Sequence, residues 1–483
     1  MKLKIIFLLS FSLLFFACSE EIMDEVNENK NAPSEMTVKN LLPDAALKTA
    51  YETYGTDIPW FTDIYIEYAA GTWAQASDAD KRIGQESASL FNNSWNSLYD
   101  VMNICKVIID KTDPVTGTEP INYGTRGVAE VLMAINLAVV TDMWGEAPYT
   151  EAFQGSDNLQ PKYDKQSDLY VEVFRLLDDA IVNLGMGTAI DGFDYIYGGS
   201  RTNWIRAAHS LKARYLMRLT KVRATAATEA LAEIALGFQS SADQMIFNHY
   251  VDNFPNGNPW FEYWYLRDHN SISSTIVGLL LDRNDPREYW YHWGGDIAPI
   301  GEAEQTQGGY SQSYLTTGYK SWNIPTPVMT YHELLFIKTE AEFRTGAAPA
   351  VWQATLEDAI TAQFSWLSEY MLVDDTDGDP DPDNIGDAAD YFATEVLPLL
   401  TVGNELNEIM TQKYLGLFEM EAMETYNDYR RTGFPTMMNP NNATVGFPNR
   451  FPFAVSETSS NPDNVPTVSI YTDKVWWAGG TEN

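Results

Sequence analysis

Tryptophans are the most informative of the residues able to do chemistry. Trp73 sits in Gly71-Thr72-Trp73-Ala74-Gln75, a stretch of loop composition. Trp290, Trp293 and Trp322 belong to residues 250–325, where 15 of 76 residues are aromatic and Asn, Gly, Pro and Ser separate them. A flat ring on a loop can stack on the C–H face of a pyranose, with a gain like that of an aromatic pair, roughly 0.5–1.5 kcal/mol beyond area burial. The competing reading for each is packing against the protein body, because tryptophan is highly buried on average. Trp60 and Trp264 lean towards that second reading. Asn, Gln, Asp and Arg side chains would fix the orientation of a bound sugar.

Asp375, Asp377, Asp379 and Asp381 alternate around Gly378, within a run of eight aspartates from 374 to 390 that has no Lys or Arg. Oxygen ligands at alternate positions suit calcium. The register is not that of an EF-hand, since counting back from Gly378 puts Val373 at the first ligand position. A structural calcium site and a solvated acidic loop are both open, and no other cofactor is required. Pro380 and Pro382 exclude regular structure there.

No catalytic motif emerges. His209, His249, His269, His292 and His332 are not paired at metal spacing, and His332-Glu333-Leu334-Leu335-Phe336 lacks the second histidine of a zincin. Gly185-Met186-Gly187 lacks the third glycine of a dinucleotide loop, and neither a Walker motif nor a Gly-x-Ser-x-Gly elbow is present. A pair of carboxylates about 5–10 Å apart would serve a glycosidase, but no local motif marks one. The expectation is a binding protein and not an enzyme. A lipid-anchored glycoside hydrolase is one rival, and a helical-repeat assembly protein without a small-molecule site is another.

The elements that position these residues follow from composition and periodicity. The 483 residues carry 67 acidic and 31 basic side chains, a net charge of −36. Such a polyanion is repelled by phosphate backbones, which excludes nucleic acid as the main partner. Met1-Lys2-Leu3-Lys4 followed by apolar residues 5–17 reads as a secretory signal, too short for the roughly 20 residues of a membrane span. It ends Phe15-Phe16-Ala17-Cys18, which looks like a bacterial lipobox and makes Cys18 the lipidation site. Residues 18–40 are then an acidic tether, and residues 41–483 one domain. Cys105, 87 positions away, lies on an apolar helix face and reads as an inert core thiol.

Helical periodicity dominates the body. Helices are expected over 94–111, 124–144, 166–184, 203–220, 326–346 and 405–430. The second is apolar almost all round and should be buried. In the fourth, Arg206, Lys212 and Arg218 oppose the apolar stripe. Thr326-Pro327 should open the fifth and Gly346 close it. Period-2 stretches are few and short, so the fold class is mainly α, with paired helices like TPR units of about 34 residues.

Several segments together resemble the SusD/RagB family, and within it the SusD-like branch, the outer-membrane nutrient-binding lipoproteins of Bacteroidetes. They are Asp142-Met143-Trp144-Gly145-Glu146-Ala147-Pro148, Trp204-Ile205-Arg206-Ala207-Ala208-His209-Ser210-Leu211-Lys212-Ala213-Arg214, and Asp285-Pro286-Arg287. Glu333-Leu334-Leu335-Phe336-Ile337-Lys338-Thr339-Glu340-Ala341-Glu342 follows, then Ile409-Met410-Thr411-Gln412-Lys413-Tyr414 with Asp428-Tyr429-Arg430-Arg431-Thr432-Gly433. The resemblance implies one α-helical domain on TPR-like helix pairs, with irregular excursions that carry the ligand site. It also implies display outside the cell on the outer membrane, held in the lipid through Cys18. The implied partners are an oligosaccharide and a SusC-like TonB-dependent transporter. RagB-type relatives make peptide capture the alternative. The motifs themselves read as fold-defining: Asp285 caps a turn, and Arg430 and Arg431 suit the negative end of a helix that Gly433 stops.

Overall fold

The computed structural model describes residues 36–292, 294–313, 321–370 and 386–482. The N-terminal segment with Cys18, the indole of Trp293, and Asp375, Asp377, Asp379 and Asp381 lie outside those residues.

The fold is predominantly α-helical. Helices run as α1 (Val38–Lys48), α2 (Asp57–Tyr65), α3 (Ala74–Asp80), α4 (Asn92–Lys111), α5 (Tyr123–Trp144), α6 (Gln166–Gly185), α7 (Arg201–Arg218) and α8 (Ala226–Ile234). They continue as α9 (Pro259–Arg267), α10 (Ser274–Leu281), α11 (Arg287–Tyr291), α12 (Tyr331–Arg344), α13 (Pro349–Tyr370), α14 (Glu405–Gly416) and α15 (Ala422–Thr432). From α4 to α8 each helix packs on the next in sequence, and α12 then joins α8 to α13 and α14. This is the stacking of TPR-like pairs. Short antiparallel strands β1 (Ala69–Gly71) and β3 (Asn270–Ile272) pair, as do β2 (Met245–Phe247) and β4 (Thr326–Met329).

Helix α5 lies at the centre. All its residues but Tyr123 and Arg126 are buried, so a helix apolar enough to cross a membrane is instead wrapped by protein. The Asn122 side chain accepts from the Thr125 N–H and starts it. Three expectations are corrected. Thr326 and Pro327 lie in β4, and α12 begins only at Tyr331, capped by Thr330. Proline's fixed φ suits an extended strand as well as a first helical turn. The helix expected over 405–430 is two, α14 and α15, split by a turn in which Glu419 adopts φ 58°. Arg218 does not face solvent opposite the apolar stripe of α7 but is buried.

Its burial belongs to a connected set of ion pairs in the core. The Arg214 guanidinium donates to both carboxylate oxygens of Glu333 (Nε to Oε1 2.9 Å) and lies 3.6 Å from Glu424. Arg218 pairs with the same Glu424 and reaches Asp142 at 3.6 Å. Asp142 also accepts from the Trp477 indole at 2.8 Å and from the Tyr170 hydroxyl. A second chain runs from Lys413 to Asp428 (2.6 Å), on to Arg431 (2.7 Å), then Glu340 (2.6 Å) and Arg344 (2.6 Å). Arg287 grips Asp285 at 2.6 Å and donates to Gln412 at 2.9 Å. Together these tie α5, α7, α12, α14 and α15. Burial alone would raise the Asp428 carboxyl, but Lys413 and Arg431 outweigh it and hold the group well below the usual carboxylate range.

Replacing Arg214 with Met should cost about 3–5 kcal/mol, since it strands buried charge. Urea denaturation of Arg214→Met beside the double variant Arg214→Met/Glu333→Leu tests this: the double variant should recover much of the loss, and equal loss in both would contradict the account. The turn at Glu419 gives a pH-dependent test. Burial pushes its carboxyl up to about 8, with Ser313 donating to it at 2.8 Å, and neighbouring Asp63 is raised by burial and by the Glu419 charge. The native state therefore holds a proton that the unfolded chain releases near pH 4.3. That contribution is full below about pH 4 and is lost as pH rises towards 8. Glu419→Gln should match wild type in thermal melts at pH 4.5 and exceed it by on the order of 2 °C at pH 8. A gain independent of pH would remove the titration from the explanation.

Candidate functional site

Helix α9 organises the aromatic-rich excursion. The Asn258 side chain accepts from the backbone N–H groups of Trp260 (2.8 Å) and Phe261, and Pro259 occupies the first turn, so the start is well specified. Trp260 and Trp264, four apart, fall on the core side and are buried. The flanks of the same helix then differ: buried Phe261 and exposed Tyr265 lie on one, half-buried Tyr263 and exposed Arg267 on the other.

On the Tyr263 flank, Trp60 of α2 stacks on Tyr263 with ring centroids 3.9 Å apart and planes 19° from parallel. Asp57, Gln75, Phe61, Ile64, Ala76 and Arg267 close round this pair to line a cavity of about 100 Å³. Trp73 stands beside it, with Gln75 and Ala76 of α3 leading into the cavity wall. Its side chain is 37% exposed, the largest exposure of any tryptophan among the described residues. The β1–β3 pairing sets its place, as the N–H groups of Thr72 (2.8 Å) and Trp73 (3.2 Å) both donate to the His269 carbonyl at the end of α9. Gly71 permits the turn, because a Cβ there would fall 1.8 Å from the Ala76 carbonyl oxygen.

Two ionisable side chains of opposite sign, Asp57 and Arg267, flank the stack. Burial pushes the Asp57 carboxyl up while Arg267 opposes the shift. Burial and the Arg267 charge push the His269 imidazole down, which keeps it neutral at pH 7. Burial also raises the Tyr263 hydroxyl, so it stays protonated. The surface is aromatic with hydrogen-bonding groups at its edge, which suits a neutral, hydroxyl-rich ligand.

On the other flank, Trp322 packs on Phe261 (4.5 Å) and Tyr265 (5.8 Å), and Phe261 and Tyr265 stack at 5.3 Å. The Trp322 carbonyl accepts from the Asn258 N–H at 2.9 Å, and its ring lies so close to Gly257 that a Cβ would come within 2.3 Å. The structure thus sets Trp73 at the C-terminal end of α9 and Trp322 along its N-terminal part. Trp290 is 5% exposed and sits in the core with Tyr289 at its edge, which leaves its indole no open face. Trp264 is buried as expected, whereas Trp60 is only partly so and forms the platform. Sequence reasoning missed Trp60 and Tyr263. The available signal was Trp260-Phe261-Glu262-Tyr263-Trp264-Tyr265, whose five rings cannot all face one core stripe. Among the described residues, no group of three or more His, Cys, Asp or Glu could hold a metal ion.

A body of TPR-like helix pairs carrying an aromatic platform on its irregular excursion defines a class of α-helical binding proteins. Within that class, this chain belongs to the SusD-like family, whose model, described as starch-binding and associating with the outer membrane, matches residues 30–454. It is similar to the structure of a SusD/RagB family protein from Bacteroides thetaiotaomicron, with 30% identity and a TM-score of 0.83, over 92% of this chain and 100% of that one. It also shares its fold with a chitin-binding SusD homolog from Flavobacterium johnsoniae, at 20% identity and a TM-score of 0.72, over 91% and 98% of the two chains. A SusD homolog from Bacteroides fragilis aligns at 20% identity and a TM-score of 0.75, over 92% of this chain and 100% of that one. No curated protein matches the chain.

Gly71→Ala tests the turn that presents Trp73. The added methyl has backbone in its way and should destabilise by about 1–3 kcal/mol. Thermal melts followed by circular dichroism would show a lowered Tm, and an unchanged Tm would mean the turn relaxes at no cost.

Proposed function

We propose that the protein is a surface-exposed outer-membrane lipoprotein that captures an oligosaccharide and passes it to a SusC-like TonB-dependent transporter without chemical turnover. The observation that carries the reading is the Trp60–Tyr263 stack over a cavity edged by Asp57, Gln75 and Arg267, with exposed Trp73 two residues ahead of Gln75. A cavity of about 100 Å³ is small for a ligand pocket, which typically measures about 300–1,000 Å³. The sugar therefore lies across the platform and lowers hydroxyls into the cavity, where Asp57, Gln75 and Arg267 offer donors and acceptors. Trp322 and exposed Tyr265, backed by buried Phe261, offer a further stacking surface beside the same helix.

Family membership supports glycan binding and outer-membrane association. The Cys18 anchor supplies the tether in this reading, with acyl chains contributing roughly 0.8 kcal/mol per buried CH₂. A SusC-like transporter as the receiving partner is what the resemblance to the SusD/RagB family implies.

The test is a binding screen of the soluble chain, residues 19–483, against a polysaccharide panel with a peptide library beside it. Trp60→Ala and Trp73→Ala should each weaken the glycan hit by about 2- to 12-fold, the equivalent of roughly 0.5–1.5 kcal/mol, with the far-ultraviolet spectrum unchanged. Unchanged affinity in both variants would discard the platform. Peptide binding with glycan silence would move the function to peptide capture, and release of reducing ends would make the protein a hydrolase.

A further inference from the structure

We propose that a second cavity, on the N-terminal side of α9, is an additional pyranose-binding site, separate from the Trp60–Tyr263 platform. The proposal rests on the glycan-binding reading above. The cavity measures about 440 Å³, within the ordinary range for a small-molecule site and larger than the one beside Trp60. Tyr51, Phe247, His249 and Tyr250 form its aromatic lining, with Asp44 and Glu52 among the polar residues.

The aromatic lining is braced from behind. The Tyr250 hydroxyl is hydrogen-bonded to Thr326 Oγ1 at 2.7 Å, which fixes that ring, and Tyr250 packs on Phe247 at 5.0 Å. His249 stands 5.7 Å from Phe247 and 5.2 Å from Tyr195, and Tyr195 packs on the exposed Phe193 at 4.6 Å. The row of rings thus continues from the cavity onto the open surface. Aromatic faces of this kind take the C–H face of a sugar ring.

The polar side of the cavity selects what fits. Asp44 and Glu52 are acceptors with no proton to give when ionised, which pairs with hydroxyl donors. The one lysine in the lining, Lys48, is engaged by Asp100, so no free cation is offered to a phosphate or carboxylate. An anionic ligand is disfavoured and a neutral, hydroxylated ring is favoured.

The site is built from the same two chain segments as the platform. Tyr51 and Glu52 lead through Gly55 to Asp57 and Trp60, and Asn256 and Gly257 lead into α9 with Tyr263 and Arg267. These segments touch at Gly55, where a Cβ would sit 2.5 Å from the Pro259 ring. Each cavity therefore lies to one side of a single tight contact, which makes them two sites and not one continuous pocket.

The experiment is isothermal titration of the full-length lipoprotein in detergent with maltohexaose, chitohexaose and xylohexaose. Wild type should bind one of them at two sites per chain. Tyr51→Ala, and the milder Glu52→Gln, should weaken one site by about 2- to 12-fold and leave the other unchanged, while Trp60→Ala does the converse. A single site, abolished by Trp60→Ala and indifferent to both Tyr51→Ala and Glu52→Gln, would overturn this proposal and leave the platform standing. A single site lost in Tyr51→Ala and untouched by Trp60→Ala would overturn the platform instead. Silence of wild type towards all three sugars would overturn both.

Discussion

The buried ion pairs joining α5, α7, α12, α14 and α15 are the constraint on which the rest of the fold depends. A buried charge is tolerated only when its partner is in place, so each pair acts as a lock between elements distant in sequence. Glu333 and Arg214 are 119 positions apart, and Arg218 and Glu424 are 206 apart. Among the described residues, nine basic side chains are buried: Arg82, Arg214, Arg218, Arg283, Arg287, Lys413, Arg430, Arg431 and Arg450. Five of the nine, Arg214, Arg287, Lys413, Arg430 and Arg431, lie in the family-like motifs, which hold the helical body in one register and leave the candidate site to segments between them.

The ligand-site elements are secured differently. Short β1–β3 pairing and the close approach at Gly71 place Trp73, and the capped start of α9 sends two buried tryptophans inward so that rings on both flanks emerge. The body is held by charge pairing and helix stacking, and the excursion by backbone hydrogen bonds and aromatic contact. Changes on the excursion can therefore alter what is bound while the ionic frame stays intact.

Periodicity alone located α4, α5, α6 and α7 to within two residues, because an apolar stripe at helical spacing is a local property. The break between α14 and α15 was not legible, since Leu417, Phe418 and Met420 continue the apolar pattern while the chain turns at Glu419. Arg430 and Arg431 read as helix-end charges. Asp428 lies one helical turn from Arg431, but their distant partners, the Asp142 carbonyl and Glu340, are 288 and 91 positions away and cannot be inferred from spacing. Loop composition pointed to Trp73, but the Trp60–Tyr263 stack lies between two helices and was not legible. Trp60 is partly buried and partly a stacking surface, a state that neither a core nor a loop reading describes.

The excess of acidic side chains has a consequence for the outside of the molecule. The described interior takes up 17 of the 67 acidic side chains along with nine of the 31 basic ones, so the solvent-facing shell still carries a large excess of carboxylates. Within a Debye length of about 8 Å at physiological salt, that shell is a negative field facing every approaching polymer. A neutral chain crosses it without penalty, while a sulfated or uronate-bearing chain is slowed before any specific contact forms. The surface charge thus acts as a sieve ahead of the candidate site, and copies of the chain repel one another at close approach.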